Sequence, residues 1–302
     1  MDTTLPRHGA VRGLSTAGFH RMAYTEWGET DNPHVVICVH GLTRSGRDFD
    51  DLAARLARRA RVLCPDIVGR GASDWLSDPG LYGYPQYLAD IAVLIARLDA
   101  QAAAGRRVLT IDWVGTSMGG LIGMMLAAAR GTPIRRLVMN DIGPVLAREG
   151  LNRIAAYAGS DPRFDSFEAF SASQRRLLRP WGAGTDALPE AALARLVEHS
   201  ARRFTEPDGR VSVGLHYDPA IARGFKDKTF DRDVEMWPIW EKVSAPVLVL
   251  RGAESEIFRA DTAQRMCERA APTSVIEFPG IGHAPALADD AQIGCIERFL
   301  LD

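Results

Sequence analysis

Ser117 stands between two glycines, in Gly115-Thr116-Ser117-Met118-Gly119, where an apolar β-branched run (109–114) gives way to a small-residue run through Ala127-Ala128-Ala129. That pattern reads as a strand, a sharp turn and a helix, with a hydroxyl at the apex. Glycines two residues before and after the serine let the strand and helix backbones approach closely and permit the serine a strained φ/ψ pair. The helix N-terminus beneath it offers free N–H groups and the positive end of a dipole. A serine hydroxyl is a poor nucleophile near neutral pH. It needs a base within hydrogen-bond reach, and the base needs an acid to orient it. Candidate groups are His283 in Gly282-His283-Ala284-Pro285, Glu254 and Glu256 after the run 245–250, Asp141 after the run 134–140, and His40 in His40-Gly41-Leu42. The order serine, acid, histidine along the chain goes with a strand-turn-helix nucleophile.

Elements must carry these groups to one place. Strand-like runs occur at 19–27, 34–39, 61–64, 108–114, 134–140, 245–250 and 274–278. Several, such as His34-Val-Val-Ile-Cys-Val39, are continuously apolar, the mark of strands covered on both faces. Helical spacing appears at 49–60, 84–104, after Ser117, at 261–271 and at 286–301. The alternation predicts an α/β fold, a doubly wound and mostly parallel sheet. Ligand sites in such sheets lie at the carboxyl ends of the strands, where the candidate groups fall. From 145 to 240 the pattern is helical (153–158, 167–178, 189–204) and is broken at Pro180-Trp-Gly, Pro207-Asp-Gly and Tyr217-Asp-Pro. It predicts a core of 1–144 and 241–302, with 145–240 as a helical cap, or lid, over the strand ends. Of its aromatics, Phe164, Phe167, Phe170, Trp181, Trp237 and Trp240, most are expected to pack the lid on the core and a minority to line the pocket.

With 302 residues, 46% hydrophobic and 25% charged, the chain suits one large globular domain, with or without an insertion. A net charge of −2 gives no argument for nucleic acid or an anionic membrane as partner. Lysine occurs only at Lys226, Lys228 and Lys242, so the arginine content reads as composition bias. Arg44, Arg47 and Arg70 lie in loops near the expected site, where one could pair with a substrate carboxylate, but they read first as solvated surface groups. Cys38, Cys64, Cys267 and Cys295 show no metal or disulfide spacing, and the first two sit in apolar runs as buried thiols. No cofactor and no metal is expected. The N-terminus lacks an apolar signal core, and no run of 18 apolar residues occurs. The expected location is cytoplasmic, with no membrane partner. The oligomeric state stays open.

Together, His40-Gly41, Pro65-Asp66-Ile-Val-Gly69-Arg70-Gly71-Ala-Ser73, Gly115-Thr-Ser117-Met-Gly-Gly120 and Gly282-His283-Ala-Pro285 resemble the α/β-hydrolase fold superfamily across nearly the whole chain except 145–240. The resemblance implies Ser117 as nucleophile and His283 as general base and then acid. It implies an oxyanion hole from the backbone N–H groups of Leu42 and Met118, and it makes His40 a brace for that loop. In this family the acid usually follows the strand at 247–250. That makes Glu256 the expected residue, with Asp141 and then Glu254 as alternatives. The serine excludes dehalogenases, which need aspartate there, and dienelactone-hydrolase types, which need cysteine. The expected activity is a serine hydrolase acting on a small-molecule acyl substrate, foremost a carboxylic ester. Ring-cleavage carbon–carbon bond hydrolysis, perhydrolysis, acyl transfer and a low-turnover receptor-like binding role remain as alternatives.

Overall fold

The computed structural model describes residues 5–182, 188–225, 228–269 and 271–302. The sheet begins with an antiparallel pair, β1 (Arg7–Ser15) and β2 (Gly18–Trp27), and continues with β3 (His34–Val39), β4 (Arg61–Pro65), β5 (Thr110–Thr116) and β6 (Ile134–Asn140). After a long excursion the chain adds two more strands to it, 247–252 and 273–278. The excursion carries four short strands: β7 (Val145–Leu146), β8 (Ala201–Thr205), β9 (Val211–Leu215) and β10 (Val234–Glu235). The last two sheet strands are therefore β11 (Val247–Gly252) and β12 (Thr273–Phe278). The spatial order is β1-β2-β4-β3-β5-β6-β11-β12, with all pairs from β4 to β12 parallel. This is the expected doubly wound sheet with one addition. The addition is β1, which has no strand-like apolar pattern in the sequence: its only buried residues are Val11 and Gly13, and it holds an edge position by pairing with β2 along its whole length.

Helices cover both faces, as the continuous apolar runs require. Val35, Ile37 and Val39 of β3 pack on the side of α2 (Tyr84–Ala104) and α3 (Met118–Ala127). Val36 and Cys38 pack opposite, with Leu52 and Leu56 of α1 (Asp50–Leu56) and with Ile296 and Leu300 of the C-terminal helix (290–301). Cys38 and Cys64 are buried free thiols.

The segment between β6 and β11 is more mixed than its pattern suggests. It holds α4 (Arg148–Tyr157), α5 (Phe167–Gly182), α6 (Glu190–Ser200) and the single turn α7 (Trp237–Trp240). The last two core helices are then α8 (Ala260–Cys267) and α9 (Asp290–Leu301). The expected helix at 189–204 stops at Ser200, where the chain turns into the β8–β9 hairpin. Alternating Arg202, Arg203 and Phe204 suit a ribbon with one wet face better than a helix. β7 and β10 pair with each other, so the chain enters and leaves the segment side by side. Phe164 and Phe170 pack with Leu193, Val197 and Val213 into a small core of the segment's own, whereas Trp237 and Trp240 join the main core. Trp181 lies outside the residues whose side chains are described.

Candidate active site

Each glycine of the turn after β5 has a steric reason. A Cβ on Gly119 would lie 1.9 Å from the Val39 carbonyl oxygen, and one on Gly115 would lie 2.3 Å from the Gly119 carbonyl carbon. Only bare backbone lets α3 start this close to β3 and β5. Ser117 sits between them at φ 50°, ψ −114°, a strained conformation for a residue with a side chain. Its N–H donates to the Asn140 carbonyl, which ties the turn to the end of β6.

The Ser117 Oγ lies 2.9 Å from His283 Nε2, and His283 Nδ1 lies 2.6 Å from Asp141 Oδ2. The three residues come from the carboxyl ends of β5, β6 and β12. Asp141, at φ 53°, is 0% exposed. Its carboxylate also accepts from the Gly252 N–H (2.8 Å) and from the Ser255 hydroxyl (2.5 Å). Asn140 beside it donates to the Pro285 carbonyl, two residues past the histidine, and to the Thr116 hydroxyl, so both flanks of the hydrogen-bonded line are anchored.

This corrects the expectation for the acid. The carboxylate on His283 Nδ1 is that of Asp141 and not that of Glu256. The Glu256 side chain is 56% exposed and pairs with Arg153 of α4 at 2.7 Å. The backbone of this loop alternates, with Glu254 and Glu256 outward and Ser255 and Ile257 inward. The residue aimed at the histidine's side is therefore Ser255, and what it contributes is a hydroxyl on the aspartate rather than a second carboxylate. The parallel register of β6 and β11 sets Asn140 beside Leu250, which delivers Asp141 to the start of the following loop.

The reading of Arg70 as a solvated arginine is also overturned. It is 0% exposed. Its Nε donates to the Leu42 carbonyl (2.9 Å), and its terminal nitrogens reach the Val68 carbonyl, the Tyr87 hydroxyl and, at 3.7 Å, the Met118 sulfur. The Tyr87 ring lies under the guanidinium at 5.0 Å, offering the charge a π face. Arg70 thus grips both Leu42 and Met118, whose N–H groups have no acceptor among the described residues. The sequence signal was its place in Gly69-Arg70-Gly71, whose glycines both adopt positive φ. His40 braces the same loop. Its Nδ1 donates to the Gly41 carbonyl and its Nε2 accepts from the Ile67 N–H, and burial pushes its pKa down to about 4, so it is neutral.

A family model for the alpha/beta hydrolase family matches residues 36–293. The chain belongs to this family. A 3-hydroxybutyrate-oligomer hydrolase from Cupriavidus necator is 42% identical over 97% of both chains. The crystal structure of an alpha/beta hydrolase from Novosphingobium aromaticivorans superposes with a TM-score of 0.79 at 34% identity, covering 97% of this chain and 98% of the other. The crystal structure of a putative hydrolase from Rickettsia typhi superposes with a TM-score of 0.84 at 28% identity, covering 98% of each chain. The chain is a hydrolase of this family, and the resemblance read from its motifs is borne out. No helix among the described residues is long and apolar enough to cross a membrane.

In this alpha/beta hydrolase two cavities meet at Ser117. One, of about 110 Å³, runs past His283 along Thr43, Arg44, Leu196 and Leu287. The other, of about 230 Å³, runs past Met118 along Tyr84, Leu121, Ile142, Ile221 and Phe230. Leu42 and Ile154 line both. Residues of the 145–240 segment therefore wall both cavities, and Phe225 and Phe230 are the described aromatics that the segment gives to the larger one. None of the five described aromatics singled out from the sequence lines either cavity. Arg44 is not a solvated group either. It grips Asp48 with two nitrogens and donates to the Ser200 hydroxyl at the end of α6, bridging core and segment.

Proposed function

We propose that this hydrolase cleaves carboxylic esters through Ser117, His283 and Asp141, with 145–240 acting as the cap that encloses the substrate. The observation that carries the reading is the unbroken hydrogen-bonded line from buried Asp141 through His283 to Ser117. Asp141 accepts the Nδ1–H of His283 and holds Nε2 toward the serine. Ser117 Oγ attacks the ester carbonyl carbon while its proton passes to Nε2. The resulting oxyanion is met by the N–H groups of Leu42 and Met118, each contributing about 3–4 kcal/mol to the transition state. Collapse breaks the ester C–O bond, and His283 gives its proton to the departing alkoxide. Water then repeats the sequence on the acyl-enzyme, with His283 again as base, and releases the acid and free Ser117.

The substrate class we propose is short hydroxyacid oligoesters. The 3-hydroxybutyrate-oligomer hydrolase aligned along nearly its whole length supports this choice, as does a larger cavity with no charged group among its described lining residues. The test is Ser117→Ala, assayed on p-nitrophenyl butyrate and on 3-hydroxybutyrate dimer and trimer. Activity should fall by several orders of magnitude with folding intact, because the three side chains act as a unit. A fluorophosphonate should label the unmodified chain at Ser117. Wild-type turnover by the variant would exclude the mechanism.

A further inference from the structure

The larger cavity carries a polar feature that the ester-hydrolysis scheme does not use. Among its described lining residues none is Asp, Glu, Lys, Arg or His. It therefore suits an uncharged group. Three tyrosines line it, Tyr82, Tyr84 and Tyr87. The Tyr82 hydroxyl donates to Asp218 and accepts from the Leu76 N–H. The Tyr87 hydroxyl accepts from Arg70. The Tyr84 hydroxyl makes no hydrogen bond to the described residues, and burial pushes its pKa up, so it stays a protonated donor. A hydroxyl covered by an apolar chain and left without a partner pays a desolvation cost, so a ligand that pairs it gains selectively.

The two cavities differ in a second respect. His283 lines the smaller and not the larger. The protonated histidine must reach the departing alkoxide oxygen, so the alcohol half of the ester lies on its side of Ser117. The acyl half then lies on the side of Met118.

We infer that the larger cavity is the acyl subsite and that the Tyr84 hydroxyl reads a hydroxyl group on the acyl chain, making Tyr84 a specificity residue for hydroxyacyl esters. This rests on the serine-hydrolase reading of Ser117. A bare acyl chain leaves Tyr84 unpaired, whereas a hydroxyacyl chain exchanges hydrogen bonds with it from one face. Tyr84 therefore sets both the preference for the hydroxyl and the preference between its two stereoisomers.

The experiment compares kcat/KM for methyl 3-hydroxybutyrate, each enantiomer separately, with methyl butyrate, followed by acid release in a pH-stat. Tyr84→Phe should lower the hydroxybutyrate-to-butyrate ratio about tenfold, the worth of one well-placed hydrogen bond, and should shrink the enantiomer ratio. An unchanged ratio, or equal loss on both esters, would overturn the role of Tyr84. The placement of the halves is tested by filling each cavity. Ile221→Trp should depress methyl hexanoate relative to methyl acetate, and Leu196→Trp should depress hexyl acetate relative to methyl acetate. The opposite pairing would overturn the acyl assignment. Failure of the underlying reading would show separately, as no fluorophosphonate adduct on Ser117 in the unmodified chain.

Discussion

The turns after β6 and β11 lie side by side at the carboxyl edge of the sheet, and each presents carboxylates. They use them in opposite ways. Asp141 is fully buried and held by three donors, His283, Gly252 N–H and Ser255 Oγ. Glu256 is solvated and faces Arg153 of α4. A buried carboxylate has lost its hydration, so fixed donors must replace the water that would otherwise solvate and orient it. An exposed pair contributes about 0–1 kcal/mol. What separates the two groups is therefore the cage of donors. Side-chain length and distance along the chain matter less.

The comparison breaks most visibly at Asp141. Asp141→Asn should lower kcat on p-nitrophenyl butyrate on the order of 10⁴-fold, since the amide cannot accept from Nδ1–H with the same charge and favours the wrong tautomer. A residual rate near wild type, with the fold intact by circular dichroism, would return the role to another carboxylate.

The next effect is read as stability. His40 is a buried histidine whose pKa is pushed down to about 4 by burial, against an ordinary value of 6.5. The unfolded chain takes up a proton between those values and the native chain does not. Stability from this group is complete above about pH 6.5 and is lost as pH falls toward 4, in total on the order of 3 kcal/mol. Urea unfolding from pH 7.5 to 4 should show a falling ΔG with one proton's slope from this group, and His40→Gln should remove that slope. An unchanged slope in the variant would mean that His40 is not buried neutral.

Smaller effects sharpen the contrast. Ser255→Ala removes one donor from the cage and should lower kcat about tenfold, a charge-assisted hydrogen bond that is partly replaced by water. Its effect should vanish in the Asp141→Asn background, and additive losses would show that Ser255 acts elsewhere. Glu256→Gln should change kcat by less than about twofold and stability by under about 1 kcal/mol in denaturant titration. A loss approaching that of Asp141→Asn would erase the distinction between the two turns.

The hydrophobic periods, the glycine pair around Ser117 and the histidine after the last strand are local features. A strand, a turn that only glycines fit, and a loop at a strand end are each decided within a few residues, so the doubly wound sheet, the strained serine and the place of His283 could be read from order alone. The acid could not. Asp141 and the Ser255 that orders it are 114 positions apart, and they meet because β11 pairs with β6 in a register no local pattern records. The same holds for Arg70, 28 positions from Leu42 and 48 from Met118. In sequence it is one arginine among many, and in the fold it is a buried charge whose donors reach both Leu42 and Met118 beside Ser117. Pattern in the chain sets which face of a strand or helix is buried. Which polar groups share that burial is set by packing between distant elements, where a desolvated charge persists only if other parts of the chain supply its hydrogen bonds.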